Sequence, residues 1–358
     1  DLGENYTYTS WRMSPCVKAG ELHCVKCHTS SGRYRFREEK DANNACMPCH
    51  KERVENATAH TQHKADSPGN KCISCHMPMT SFARMNRTDH SMLPPTPAAT
   101  IAYKSPNACN LCHTDKDAAW ADKTVRQWHP LDYQAPVLKR ASLIEAGRKR
   151  DWSKLPEMLN YITGKDRDEV FATSFIRMIP ASGDPRITPV LYKAIKDPSP
   201  LVRASAADAI KHVQTREAFQ ALMQAIGDDY RLVRVRAVAS LIGYQNYRVE
   251  DPDKTKVEAV LKEYLTSILS RADQWSSHYN LGNAYLSLGD PKQAIASYDT
   301  ALKLEPRAVL AMVNESMAYA QLGETKKADE SLQKALKVAP GNAAANFNMG
   351  LLKAEQND

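Results

Sequence analysis

One pentad, Cys-x-x-Cys-His, occurs four times before residue 114: CVKCH (Cys24, Cys27, His28), CMPCH (Cys46, Cys49, His50), CISCH (Cys72, Cys75, His76) and CNLCH (Cys109, Cys112, His113). The spacing restricts what such a segment can become. Two intervening residues set the distance between the thiols, and the histidine that follows at once is carried by the same turn. C-type haem attachment asks for this arrangement: the thiols add across the two vinyl groups of the porphyrin, and the adjacent imidazole becomes the proximal ligand of the iron. Four-cysteine zinc sites and disulfide frameworks also use paired cysteines, but neither accounts for a histidine after every pair. Histidine is 11 of 358 residues, so four such placements arise by chance at roughly one in a million.

Composition divides the chain in the same way. All nine cysteines lie at or before Cys112, and residues 1–130 contain only ten Leu, Ile and Val. That is far below the roughly 20% floor of a self-sufficient apolar core. Four haems (haem c, iron) would supply the missing apolar bulk, so a loop-rich tetrahaem cytochrome c domain is expected over 1–130, with little secondary structure before about residue 115. Pro15, Pro48, Pro68, Pro78, Pro94, Pro95, Pro97 and Pro106 agree with short elements. The formal charge of +7 is not gathered into one stripe, which argues against a nucleic-acid partner. No apolar run approaches the roughly 18 residues of a membrane span. The chain starts at Asp1 with neither a charged n-region nor an apolar h-region and reads as a mature exported chain.

The other side of each iron separates carriers from catalysts: a second histidine gives a low-spin carrier, methionine raises the potential, and an open position admits substrate. Seven histidines lie outside the pentads. His60 and His63 precede the third pentad; on a helix they would share a face, and in a loop they would turn toward different irons. His90 sits in DHSMLPP, where Asp89 or a backbone carbonyl is placed to hold its second ring nitrogen. These three are the expected distal ligands. For the remaining iron the candidates are Met13, His23 and His129, beside an open or water-filled site and a ligand from a neighbouring subunit. Cys16, outside every pentad, reads as a free thiol before an intermolecular disulfide or a sulfur ligand. His212 and His278 lie in helical repeats and read as ordinary surface or packing residues.

Beyond residue 130 the pattern becomes helical and periodic. IKDPSPLVRASAADAI at 195–210 and IGDDYRLVRVRAVASL at 226–241 align with a period of 31, matching Ile195 to Ile226, Asp197 to Asp228, and Leu201, Val202 and Arg203 to Leu232, Val233 and Arg234. This resembles HEAT-like repeats, with a looser copy beginning near Ile162. From Trp275, the residues Leu281, Gly282, Tyr285, Gly289, Ala294, Tyr298, Ala301 and Pro306 stand at tetratricopeptide offsets. Thirty-four residues on, Tyr319, Gly323, Ala328, Leu332, Ala335 and Pro340 repeat them, and NAAANFNMGLLKAEQ follows as a capping helix. The expected class is mainly α: HEAT-like repeats over 131–250 and tetratricopeptide repeats over 251–358, stacked as one α-solenoid.

The pentads, with CISCHMP, DHSMLPP, SPNACNLCH and DKDAAWAD, resemble a family of exported bacterial multihaem cytochromes that carry HEAT-like and tetratricopeptide repeats after the haem segment. The resemblance implies an electron-transfer protein of the periplasm or cell exterior with mainly bis-histidine haems. Redox proteins would be its partners, and the solenoid would be a docking surface. Two other functions stay open: a subunit of a head-to-tail haem wire, and a reductase or oxidase of a small nitrogen compound at one open haem.

Overall fold

The computed structural model describes residues 6–20, 22–82, 85–244, 247 and 249–355. It divides into two compact units, Asp1–Gly183 and Asp184–Asp358.

The first unit begins with short elements: α1 (Tyr6–Met13), α2 (Pro15–Lys18), α3 (Cys24–Cys27), α4 (Met47–Glu55), α5 (Ala57–Thr61) and α6 (Cys72–His76). A hairpin of β1 (Met79–Phe82) and β2 (Met85–Thr88) follows, paired antiparallel with Met79 opposite Thr88. Then come α7 (Pro97–Tyr103) and α8 (Cys109–Cys112). These helices run from four to nine residues, so the segment has more regular structure than its prolines suggest. The prolines open helices instead of breaking them: α2, α4 and α7 each carry one in the first turn, where a missing N–H costs nothing.

Longer helices complete this unit: α9 (Ala118–Trp128), α10 (Ala135–Lys149), α11 (Leu155–Thr163) and α12 (Glu169–Met178). Leu143, Leu155, Met158, Ile162, Phe175 and Ile176 form their buried interior. Helices α10–α12, which follow residue 130, therefore belong with the pentad segment. Asp168 caps α12 by accepting the Val170 and Phe171 N–H groups, and it also takes Lys18 Nζ at 2.6 Å. With the Arg12–Glu169 pair, this fastens the amino-terminal arm to α12.

The second unit holds α13 (Ile187–Ala194), α14 (Pro200–Ala209), α15 (Arg216–Ala225), α16 (Arg231–Leu241), α17 (Asp251–Ile268), α18 (Trp275–Ser287), α19 (Pro291–Leu304), α20 (Val309–Gln321), α21 (Thr325–Val338) and α22 (Ala343–Glu355). Each of the helices from α16 onward packs on the next, so the two kinds of repeat stack within this unit as expected. The L-V-R motif that opens α14 and α16 has a specific role. Arg203 forks onto the Asp228 carboxylate at 2.7 and 2.9 Å and caps the Asp197 and Pro198 carbonyls. Arg234 repeats this one unit later, on Glu263 at 3.0 and 2.8 Å and on the Asp228 and Asp229 carbonyls. In the following pairs small residues set the spacing: a Cβ on Gly282 would come within 2.6 Å of Cδ1 of the fully buried Tyr298.

Candidate functional site

Each pentad forms or abuts a single helical turn, as the covalent spacing requires. The first, third and fourth make α3, α6 and α8, while Cys46 precedes α4 and His50 bends it with a non-helical φ of −124° and ψ of 37°. Among the described residues no two cysteines form a disulfide; Cys24, Cys49 and Cys112 are exposed and the others half-buried. Successive pentads are neighbours. Cys46 hydrogen-bonds Cys72, which brings the Cys72 thiol down to about 7 and pushes that of Cys46 up. Burial, then the charges of Cys109 and Cys112, push the Cys75 thiol up to about 11. Tyr34, pushed up to about 12 by burial first, also feels Cys27, Cys46 and Cys72.

Three pentad histidines face a histidine from outside the pentads. His28 and His90 have ring centroids 6.3 Å apart and an interplanar angle of 22°. His76 and His60 are 6.3 Å apart at 10°, and His113 and His63 are 6.0 Å apart at 47°. Nε2 is left as the free lone pair on three of these rings, because Nδ1–H donates to a backbone carbonyl: His28 to Gly32 at 3.0 Å, His63 to Thr61 at 2.6 Å and His90 to Thr88 at 2.8 Å. A metal-bound imidazole is held in this way. Thr88, then, and not Asp89, holds His90; Asp89 instead fixes the turn by accepting the Ser91 N–H and hydroxyl at 2.8 and 3.0 Å. The His76 ring bonds the carbonyls of Met92 and Leu93, yet burial keeps its pKa below the ordinary value. His60 is likewise lowered by burial and then by His129 and His76, and its Nδ1 is buried without a partner. Neutral imidazoles of this kind keep a lone pair for a metal.

His60 and His63 are separated by a local device. Helix α5 ends at Thr61, and Gln62 takes the left-handed conformation at φ 56°. The next histidine is thereby turned away from the face that His60 uses. Gly69 lies against the His63 ring, where a Cβ would come within 2.7 Å of Nε2. Around them the segment is built from hydrogen bonds. Asn43 donates to the Asn70 carbonyl and accepts the Cys72 N–H, Asn70 accepts the Thr61 hydroxyl, and Asn107 holds the Asn110 N–H inside the fourth pentad.

The remaining candidates are placed differently. His129 ends α9 with its ring 5.4 Å from His60 and 6.2 Å from Tyr133. His23 is exposed at the start of α3, and Met13 is half-buried at the end of α1. Among the described residues no second imidazole faces His50 as the other three are faced. Cys16 is half-buried in α2, near enough to Cys27 and Cys46 for its charge to raise both. His212 is exposed and the His278 ring bonds the Ala272 carbonyl at 2.9 Å, as ordinary surface residues do.

The donor set fits one kind of group better than others. Two imidazoles bound through Nε2 on opposite sides of one metal, at about 2.0–2.1 Å each, put their ring centroids roughly 6.3 Å apart. Ordinary ring contacts also span about 4.5–7 Å, so distance alone does not decide. What distinguishes these pairs is membership: each joins one pentad histidine to one histidine outside the pentads. Among the described residues no three His, Cys, Asp or Glu side chains gather as a metal-holding group. A haem iron asks for only two side chains, because the macrocycle supplies its other donors.

Residues 155–242 match the family of HEAT repeats, and residues 275–307 and 310–342 match tetratricopeptide repeats. The C-terminal region thus carries both kinds of repeat, which provide surfaces for protein–protein interaction. No curated protein matches the chain. Among the described residues no helix is long and apolar enough to cross a membrane. The Arg203 and Arg234 ladder was half visible in the repeated L-V-R, but its acidic partners lie at unequal spacings and carry different side chains.

Proposed function

We propose that this protein transfers electrons outside the cytoplasm through four covalently attached c-type haems, with its helical repeats docking redox partners. The three imidazole pairs carry this reading. The eight pentad thiols would anchor the haems. His28, His50, His76 and His113 would be proximal ligands, and His90, His60 and His63 would stand opposite the first, third and fourth. Bound haem would supply reversible one-electron transfer. The chain's own part is to hold the His28, His63 and His90 imidazoles in one tautomer through Gly32, Thr61 and Thr88, which tunes the ligand and limits its movement. The proximity of successive pentads supports transfer from one to the next.

Pyridine haemochrome analysis of the exported protein tests this, with an expected four haems per chain, one for each pentad. Fewer haems, or stoichiometric zinc instead, would overturn it. Low-spin signals are expected from the three paired sites. His50 favours a second reading, in which a small nitrogen compound is reduced or oxidised there. A high-spin signal that shifts with nitrite or hydroxylamine supports that reading, and wholly low-spin iron removes it.

A further inference from the structure

The second unit contains an open groove of about 910 Å³ between α16, α17 and α18. Its lining includes the cations Lys211, Arg231 and Arg236 and no aspartate or glutamate. Arg231 shares Glu263 at 3.2 Å and Lys211 shares Asp208 at 3.1 Å. Arg236 is exposed and makes no ion pair among the described residues. On the floor, Ser240 is only 2% exposed and its hydroxyl has no partner. A buried hydroxyl without a partner is an exception in a folded protein.

We infer that this groove binds an extended acidic segment of a partner polypeptide, with Arg236 as its main charge contact. The wall of α18 favours a peptide over a small anion. Asn280 and Asn283 are three apart on one helix face. The Asn283 side-chain oxygen is already taken by the Tyr298 hydroxyl at 2.8 Å and Asn314 Nδ2 at 2.7 Å. Its N–H groups are therefore left to donate, as a peptide carbonyl requires. Leu232 and Val235, between the arginines of α16, offer apolar contact to alternate side chains. The inference rests on the reading of the repeats as a protein-docking surface and is independent of the haems.

The test uses the full-length, haem-loaded protein and a fluorescein-labelled octapeptide of alternating glutamate and leucine, read by anisotropy. Binding is expected that falls at least about tenfold in Arg236→Glu, is largely kept in Arg236→Lys, and is unchanged in Lys292→Glu outside the groove. Asn280→Asp serves as a second groove variant and should weaken binding as well. Binding that survives Arg236→Glu and Asn280→Asp would leave the repeats a docking surface but overturn the groove, whereas no binding counts against both. Tighter binding of the lysine–leucine counterpart, or of a single-stranded oligonucleotide that displaces the peptide, would also overturn it.

Discussion

Among the described residues between Cys24 and His113 the buried side chains are Ala42, Ala57, Pro97, Ala99 and Ala108, with Asn70, Ser91 and Asn107 beside them. Between Ile187 and Leu352 they include instead Leu191, Ile210, Leu222, Val233, Tyr298 and Leu332, set in many alanines. The first segment keeps its shape through hydrogen bonds that end on ring nitrogens and pentad backbone; the second keeps it through close-packed apolar surface. Polar networks yield only about 0.5–1.5 kcal/mol per bond in competition with water, whereas each fully buried aliphatic side chain yields about 1.5–3 kcal/mol. One region can therefore stand alone, and the other needs something to organise around.

The widest separation between the two should appear in protein made without haem. Limited proteolysis is expected to cut throughout residues 24–113 while a fragment covering 184–355 survives, as mapped by mass spectrometry. Equal resistance of the pentad segment would show that its polar network suffices unaided. A single cavity in the apolar region comes next. Leu222 is fully buried, and Leu222→Ala should cost about 2–5 kcal/mol of second-unit stability. Denaturant melting is the measurement, and the haem spectrum should be unchanged.

A smaller and more local effect is expected at Gly69. An added methyl group there meets the His63 ring, so Gly69→Ala should displace that imidazole without altering covalent haem content. One low-spin signal is predicted to shift or become high-spin. Gly350→Ala is the control, since its Cβ would meet nothing within 4 Å and its backbone is helical, and it should leave the spectrum as it was.

What the sequence reveals differs between the regions for the same physical reason. Cysteine pairs carried on one turn and stacked helices leave fixed spacings, so the pentads, the period of 31 and the period of 34 are all readable. The imidazole pairs leave none. His28 meets His90 across sixty-two positions, and His60 and His63 part because Gln62 adopts a left-handed backbone, a conformation glutamine does not advertise. Gly69 lies in a P-G-N turn that explains a glycine, yet the ring packed against it comes from His63. The lowered pKa of His60 depends likewise on burial and on His129, sixty-nine residues away.

Even the apolar region contains one buried acid among the described residues, and it should produce the smallest effect. Glu315 is 4% exposed, accepts the Ser331 hydroxyl at 2.7 Å, and has its pKa raised by burial first and then by the Asp299 carboxylate. A carboxyl whose folded pKa lies above its unfolded value of about 4.3 holds its proton longer in the folded state. Its stabilising contribution is complete below that unfolded value and is lost as pH rises through the folded one. Asp228 works in the opposite sense: burial raises it, but the Arg203 fork outweighs burial and holds it low, so its contribution fades as pH falls. Glu315→Gln keeps an acceptor for Ser331 and offers an amide to Asp299 without the charge. It should raise the melting temperature of the second unit by roughly 2–4 °C at neutral pH, and the gain should vanish as pH approaches about 4. A gain that stays constant across that range would show that Glu315 titrates alike in the folded and unfolded protein, and that burial and Asp299 do not raise it.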